Sequence, residues 1–244
     1  MKDNFSTQSS EYARYRPEYP PELFRFLLSI VDQRNVAWDC GTGNGQVAIE
    51  LARYFDRVKG TDISANQLSQ AVPNSQVEYT VQPAESTDFP AQYFDLIVVA
   101  QALHWFDLDQ FYGEAKRTLV PGGLLVVMGY GLIRTFPEAQ EVIDRFYKDI
   151  TGPYWDPERN IVEQKYRTIP FPFAEIKCPD FVSSYNWTVN HLLGYLGTWS
   201  AVVHFKEDKG YDPLSLIEEE LKDCWGNKER KVDFPVFMRA GRNI

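Results

Sequence analysis

The sequence predicts an α/β fold built on a doubly wound, mostly parallel sheet, and three observations point there. Short apolar runs alternate with segments of helical spacing over the first 130 residues. Two later runs, residues 94–100 and 124–128, are almost continuously apolar, which is the pattern of strands buried on both faces. The first run leads directly into a glycine-rich turn and then a helical segment, the join expected in a strand–helix–strand unit.

The elements follow in order. Val36-Ala37-Trp38 is a short apolar run ending in Asp39. Residues 46–55 carry Val47, Ala48, Leu51, Ala52 and Phe55 at helical spacing. Residues 57–61 form a strand ending in Asp62, and Ser64 caps a helix through Gln70. Residues 77–81 and 94–100 are further strands. Asp107 caps a helix with Leu108, Phe111, Ala115 and Leu119 on one stripe. Val120-Pro121-Gly122-Gly123 stops that helix before the strand at 124–128. Beyond residue 130 the spacing predicts helices at 136–149, 189–196 and 213–225, the last with Asp212 as N-cap and Pro213 in its first turn. Strands are expected at 182–187 and 232–239, while 151–172 is rich in Pro, aromatic and charged residues without periodicity. A single domain spans 1–244: an arm and helix to residue 35, a core over 36–130, and insertions with the final strands over 131–244.

Composition excludes several classes. The 244 residues carry 25 Lys and Arg against 34 Asp and Glu, a net charge of −9, and neither half is basic. Nucleic acids require a positive face, and an acidic surface disfavours anionic membranes. No run approaches the ~18 apolar residues of a membrane span, and the first residues lack the apolar centre of a signal peptide. Cys40, Cys178 and Cys224 form no CxxC pair or disulfide framework, so a reducing, cytoplasmic setting is expected. The histidines, His104, His191 and His204, lack metal-site spacing, and no metal is expected.

The segment that carries chemistry is Asp39-Cys40-Gly41-Thr42-Gly43-Asn44-Gly45, between a strand and a helix. Glycines there permit positive φ and close approach of a ligand to the backbone, and the helix start behind them offers free N–H groups. The spacing is G-x-G-x-G; the third glycine of a dinucleotide fingerprint is replaced by Gln46. Asp39 would repel a pyrophosphate and attract an ammonium, so the ligand reads as an adenosyl amino acid in preference to NAD. Asp62 lies 17 residues after Gly45 at the end of the second strand, where an acid can accept from both ribose hydroxyls.

Further segments extend this pattern: Thr61-Asp62-Ile63-Ser64 with Gln67-Leu68, Pro83-Ala84-Glu85-Ser86, Tyr93-Phe94-Asp95-Leu96-Ile97-Val98 and Leu119-Val120-Pro121-Gly122-Gly123. In order and spacing, residues 36–130 resemble a class I S-adenosylmethionine-dependent methyltransferase domain of the type 11 kind. Tyr12-Ala13-Arg14-Tyr15-Arg16-Pro17-Glu18-Tyr19-Pro20 and Ala102-Leu103-His104-Trp105-Phe106 are similar to a subgroup that includes the fungal trans-aconitate methyltransferases. The resemblance implies a Rossmann-like, seven-stranded sheet with helical insertions between the late strands. It places Gly41, Thr42 and Gly43 under the methionine part of the cofactor, with Asp39 near the ammonium and Asp62 on the ribose. Ile63 and Gln67 flank the adenine, although Gln67 stands where the family commonly has Met. Ala84 and Glu85 meet the adenine edge, and Gln101 and Ala102 lie beside the carboxylate or sulfonium.

The resemblance also implies that the arm folds over the cofactor, with Tyr12 and Tyr15 shielding the sulfonium through cation–π contact and Arg16 pairing with the methionine carboxylate or with a substrate acid. Tyr15, Trp105 and Trp199 shape the acceptor site. His104 is open between a general base, a group that orients the substrate, and a helix cap. The function implied is methyl transfer from S-adenosylmethionine to a small molecule, a carboxylic acid among the candidates, by in-line displacement that leaves S-adenosylhomocysteine. Two alternatives stand beside it: an NAD-dependent oxidoreductase and a non-catalytic module that binds the cofactor. The oligomeric state is left open.

Overall fold

The computed structural model describes residues 14–244. Eight strands form one sheet: β1 Val36–Cys40, β2 Arg57–Asp62, β3 Val77–Val81, β4 Phe94–Ala100, β5 Leu119–Tyr130, β6 Ala174–Ile176, β7 Phe181–Trp187 and β8 Arg230–Arg242. The order is β3-β2-β1-β4-β5-β8-β6, and β7 also pairs with β8. β1 to β5 are parallel, whereas β8 runs antiparallel to β5, and β6 and β7 run antiparallel to β8. The seven expected positions are therefore present, and the edge position is shared by two strands. Residues 177–180 oppose only 237–239 across the ladder. That extra residue, beside Pro179, makes a bulge that splits the edge strand.

Alternate residues of each central strand serve opposite faces, as the period of two requires. Ala37, Leu96, Val98, Leu124 and Val126 join one buried cluster with Leu23 and Leu27 of α1 (Pro21–Ile30) and Val47, Ala48 and Leu51 of α2 (Gln46–Leu51). Trp38, Ile97, Val99, Leu125 and Val127 join the other with Phe111, Tyr112 and Ala115 of α4 (Leu108–Thr118). Between these lies the short α3 (Ala65–Leu68), capped by Ser64, whose side chain accepts from Gln67 N at 3.2 Å. Asp107 caps α4 in the same way through Gln110 N, also at 3.2 Å.

The late half departs from the sequence expectation at several joins. The turn expected at 120–123 is absorbed into β5 as an irregularity between the Phe94 and Leu96 pairings. The helix expected over 136–149 is α5 (Pro137–Arg145) followed by one π turn, Phe146–Ile150. A short α6 (Arg159–Glu163) rises from the irregular segment, and α7 (Val189–Gly197) is joined by α8 (Ser200–Lys209). Instead of one helix over 213–225 there is a 3-10 turn, Pro213–Leu216, and then α9 (Glu218–Trp225). Trp225 is fully buried there, and its ring N–H donates to Trp187 O at 3.1 Å.

One buried acid ties the start of β1 to β4. Asp95 Oδ2 accepts from Asn35 N at 2.7 Å and Val36 N at 3.0 Å. Asp95→Ala strands two backbone donors, and urea unfolding is expected to show a loss of about 2 kcal/mol.

Candidate active site

The sheet reverses its order between β1 and β4, and a ligand crevice lies at the carboxyl ends of strands at such a switch point. There the chain leaves β1 through Gly41, whose φ is +70. Gly41 N and Thr42 N both donate to Thr61 O at 2.9 Å, so the turn is fastened to β2. A Cβ on Gly41 would stand 2.7 Å from Ala102 Cβ. Conformation and space both require glycine there, and the backbone remains open to a ligand.

Asp39 is fully buried at the end of β1, opposite Gly60 and Val98. The Thr42 hydroxyl donates to its Oδ2 at 2.5 Å, and its buried Oδ1 has no hydrogen-bond partner. Burial raises its pKa to about 7, with the Asp62 charge adding to the rise and the Thr42 hydroxyl and Ala48 amide opposing it. Asp62 is half-buried and organises the loop: Oδ2 accepts from Gly43 N and Oδ1 from Ser64 N, both at 2.9 Å. A cleft opens beside them, lined by Asp39, Gly41, Thr42, Gly43, Gln101 and Arg16, with Tyr130 closing the β5 side.

Gln101, just past β4, adopts φ +55, a conformation unfavourable for a residue with a Cβ. Its side chain holds the position: Oε1 accepts from Tyr130 N at 3.0 Å. A Cβ on Gly129 would sit 2.5 Å from that Oε1, so glycine in β5 makes the bridge possible. Arg16 is fixed on the same wall, donating from Nη1 to Tyr130 Oη at 3.0 Å and from Nη2 to Thr198 O at 2.9 Å.

Arg16 and Gln101 also line a second, narrow cavity, with His104, Trp105, Trp155, Asp156, Arg159, Trp199 and Ser200. His104 Nδ1 lies 2.9 Å from Tyr166 Oη. Burial, with the nearby Arg159 charge, lowers its pKa to about 3, so the imidazole is neutral throughout the physiological range. Trp199 is buried among Phe146, Tyr147, Trp155 and Tyr195. Among the described residues, no cluster of His, Cys, Asp and Glu could hold a metal.

The expected residues thus divide. Asp39, Gly41, Thr42, Gly43, Gln101 and Arg16 line the cleft, while His104, Trp105 and Trp199 line the adjoining cavity. Ala102 packs on Gly41. Ile63 and Gln67 continue from Asp62 around α3, with Gln67 buried. Ala84 is buried, and Glu85 Oε1 accepts from Asp107 N at 3.0 Å at the start of α4. Tyr15 does not line either cavity: it packs edge-on to His191, 5.2 Å between centroids, and against Gly194 of α7. Tyr12 lies outside the described residues. Sequence reasoning missed Tyr130, Trp155, Asp156, Arg159 and Ser200; all but Tyr130 and Ser200 come from the aperiodic 151–172 stretch, which offered no signal.

A parallel sheet with a glycine turn at the β1/β4 switch point, a buried acid at the end of β1 and a second acid at the end of β2 defines an α/β domain for a nucleoside-bearing cofactor. The comparisons narrow it. Residues 38–127 match the methyltransferase domain family. A solved structure from Anaeromyxobacter dehalogenans, of a protein named as a type II methyltransferase, is 42% identical, covers 94% of this chain and 99% of its own, and superposes with a TM-score of 0.87. A protein of Dictyostelium discoideum named as a methyltransferase is 35% identical over 245 residues, 97% of this chain and 93% of the relative. A Mycobacterium tuberculosis protein so named is 30% identical over 185 residues, 72% of this chain and 68% of the relative. The chain belongs to the class I S-adenosylmethionine-dependent methyltransferases. The oxidoreductase alternative falls with that membership. No helix among the described residues is long and apolar enough to cross a membrane.

Asp39 predicts a stability signature of the ligand-free protein. Its folded pKa of about 7 lies above the ordinary 3.8, so the folded state holds a proton that the unfolded chain has released. That contribution is complete below the unfolded value and is lost as pH rises through the folded one. Between pH 5 and 8 the wild type is expected to lose on the order of 2–3 kcal/mol relative to Asp39→Asn, then level off. Urea unfolding of both proteins across that range checks it.

Proposed function

We propose that this methyltransferase acts on a small-molecule carboxylate and forms a methyl ester by direct in-line displacement. The observation that carries the reading is the chemistry of the second cavity. It holds two guanidinium groups, Arg16 and Arg159, against one carboxylate, Asp156, and its histidine is neutral with a pKa of about 3. A group so reluctant to take a proton is a poor general base. A carboxylate needs none, because it arrives ionised. His104 is therefore read as a polar wall, held through Tyr166, that orients the acceptor.

The chain fits S-adenosylmethionine at the cleft. The unpartnered Oδ1 of Asp39 suits an ammonium, and the exposed backbone at Gly41, Thr42 and Gly43 suits close approach. Asp62 retains acceptor capacity for ribose hydroxyls beyond its two backbone bonds. Ile63, Gln67, Ala84 and Glu85 are assigned to the adenine side. Gln101, Ala102 and Arg16 are assigned to the methionine side, with Tyr12 added from the arm. When bound, the cofactor supplies an electrophilic methyl on a sulfonium. The protein aligns the acceptor with it and excludes water; Trp105 and Trp199 wall the acceptor side. The resemblance to the trans-aconitate subgroup supports an acid acceptor.

Incubation with methyl-labelled S-adenosylmethionine and a panel of small carboxylic acids tests the reaction. The expected product releases volatile label in alkali, as methyl esters do; label that survives alkali overturns ester formation, and no transfer to any acceptor favours the non-catalytic alternative. At saturating cofactor, kcat is expected to be flat from pH 6 to 8, because His104, the histidine of the acceptor cavity, stays neutral across that range. Asp62→Ala is expected to weaken S-adenosylhomocysteine binding by at least about tenfold, through lost hydrogen bonds to a charged acceptor, as calorimetry would read.

A further inference from the structure

The two arginines of the acceptor cavity are not equivalent. Arg16 is occupied: both terminal nitrogens are held by Tyr130 and Thr198. Arg159, in the first turn of α6, is held only from behind. Its Nε donates to Tyr147 Oη at 3.1 Å. The Tyr147 hydroxyl in turn donates to Glu163, so its lone pair is turned to Arg159. The guanidinium carbon lies 5.1 Å from the Trp155 ring centroid and 5.7 Å from that of Tyr147. Trp155 is itself pinned, its ring N–H donating to Tyr147 O at 3.2 Å across the π turn. Two aromatic faces and one hydrogen bond thus fix the guanidinium plane, while Nη1 and Nη2 have no hydrogen bond or ion pair among the described residues.

A rigid guanidinium with an unused pair of donors, inside a cavity, has the geometry for two-point binding of a carboxylate. The acid of the same cavity, Asp156, lies 4.0 Å from His204 Nδ1, and no ion pair joins it to Arg159 among the described residues. The π turn is the local device behind this arrangement, because it presents both the Tyr147 ring and the Tyr147 carbonyl to their partners; such turns recur at functional sites.

We infer that Arg159 is the residue that binds the anionic group of the acceptor, through Nη1 and Nη2, and that Arg16 is a positioning residue for the wall between cofactor and acceptor. The assignment rests on the carboxylate reading proposed above.

The test is titration of the full-length protein, loaded with S-adenosylhomocysteine, with benzoate, phenylacetate and succinate and with their amides. The fluorescence of the cavity tryptophans is the readout. At least one acid is expected to bind about tenfold or more tightly than its amide. Arg159→Gln is expected to abolish that preference with the S-adenosylhomocysteine affinity unchanged, and Arg159→Lys to restore part of it, since an ammonium keeps the charge without the fork. An absence of preference for any acid in the wild type, or a preference that survives in Arg159→Gln, overturns the assignment. Methyl transfer is scored separately. Acid binding through Arg159 without ester formation overturns the proposed reaction and keeps the clamp. Ester formation that is undiminished in Arg159→Gln overturns the clamp and keeps the reaction.

Discussion

A carboxylate buried without a full set of partners is costly, and Asp39 occupies that position at the centre of the sheet. The surrounding architecture reads as a response to it. The Thr42 hydroxyl turns back to one oxygen, and the glycine turn brings the start of α2 behind the other side. Asp62 adds a second negative group while fastening the loop through Gly43. Two acids held this close, with one oxygen left unpaired, form a site incomplete in its charge. Under the function proposed above, the ammonium of the cofactor would complete it.

The acceptor side follows a different logic. Its walls come from segments far apart in the chain: the turn after β4, the stretch between α5 and α6, and the start of α8. Tilted and edge-on aromatic contacts around Trp199 join the last two of these segments in a common floor. Charge is placed on that floor by two arginines with separate duties. His104 is kept neutral by burial and by the neighbouring Arg159, so the two arginines supply the positive charge of the cavity, which under the function proposed above would receive an ionised acceptor.

The core was legible because its residues obey short rules. Continuous apolar runs marked β4 and β5, the capping acids marked α4 and the 3-10 turn after Asp212, and the glycine spacing marked the turn after β1. The late half was not legible for physical reasons. α8 buries Ala201, Val202 and Phe205 while also placing Ser200 and His204, so its apolar stripe is short. Ile217, at φ −129, breaks the stretch from Pro213 to Trp225 into two pieces, although its sequence reads as one helix. Arg159 carries no local signature at all. Its role depends on Tyr147 and Trp155, which reach it only through the π turn.

The cleft and the cavity meet at Gln101 and Arg16, and this shared wall links the two halves of the site. Gln101 stays at positive φ because Tyr130 N donates to its side chain. Tyr130 also accepts from Arg16 through its hydroxyl, and Arg16 reaches Thr198 at the end of α7. A continuous set of hydrogen bonds therefore runs from the end of β4, through the end of β5, to the insertion that carries Trp199. The strained backbone at Gln101 is held by that set together with its own amide, which donates to Met128 O at 2.8 Å. An anion that took Arg16 would have to displace Tyr130 and Thr198 from its two terminal nitrogens. An acceptor that binds without disturbing this wall must find its cation elsewhere, and Arg159, on the opposite element and already held by its aromatic neighbours, is placed to supply it.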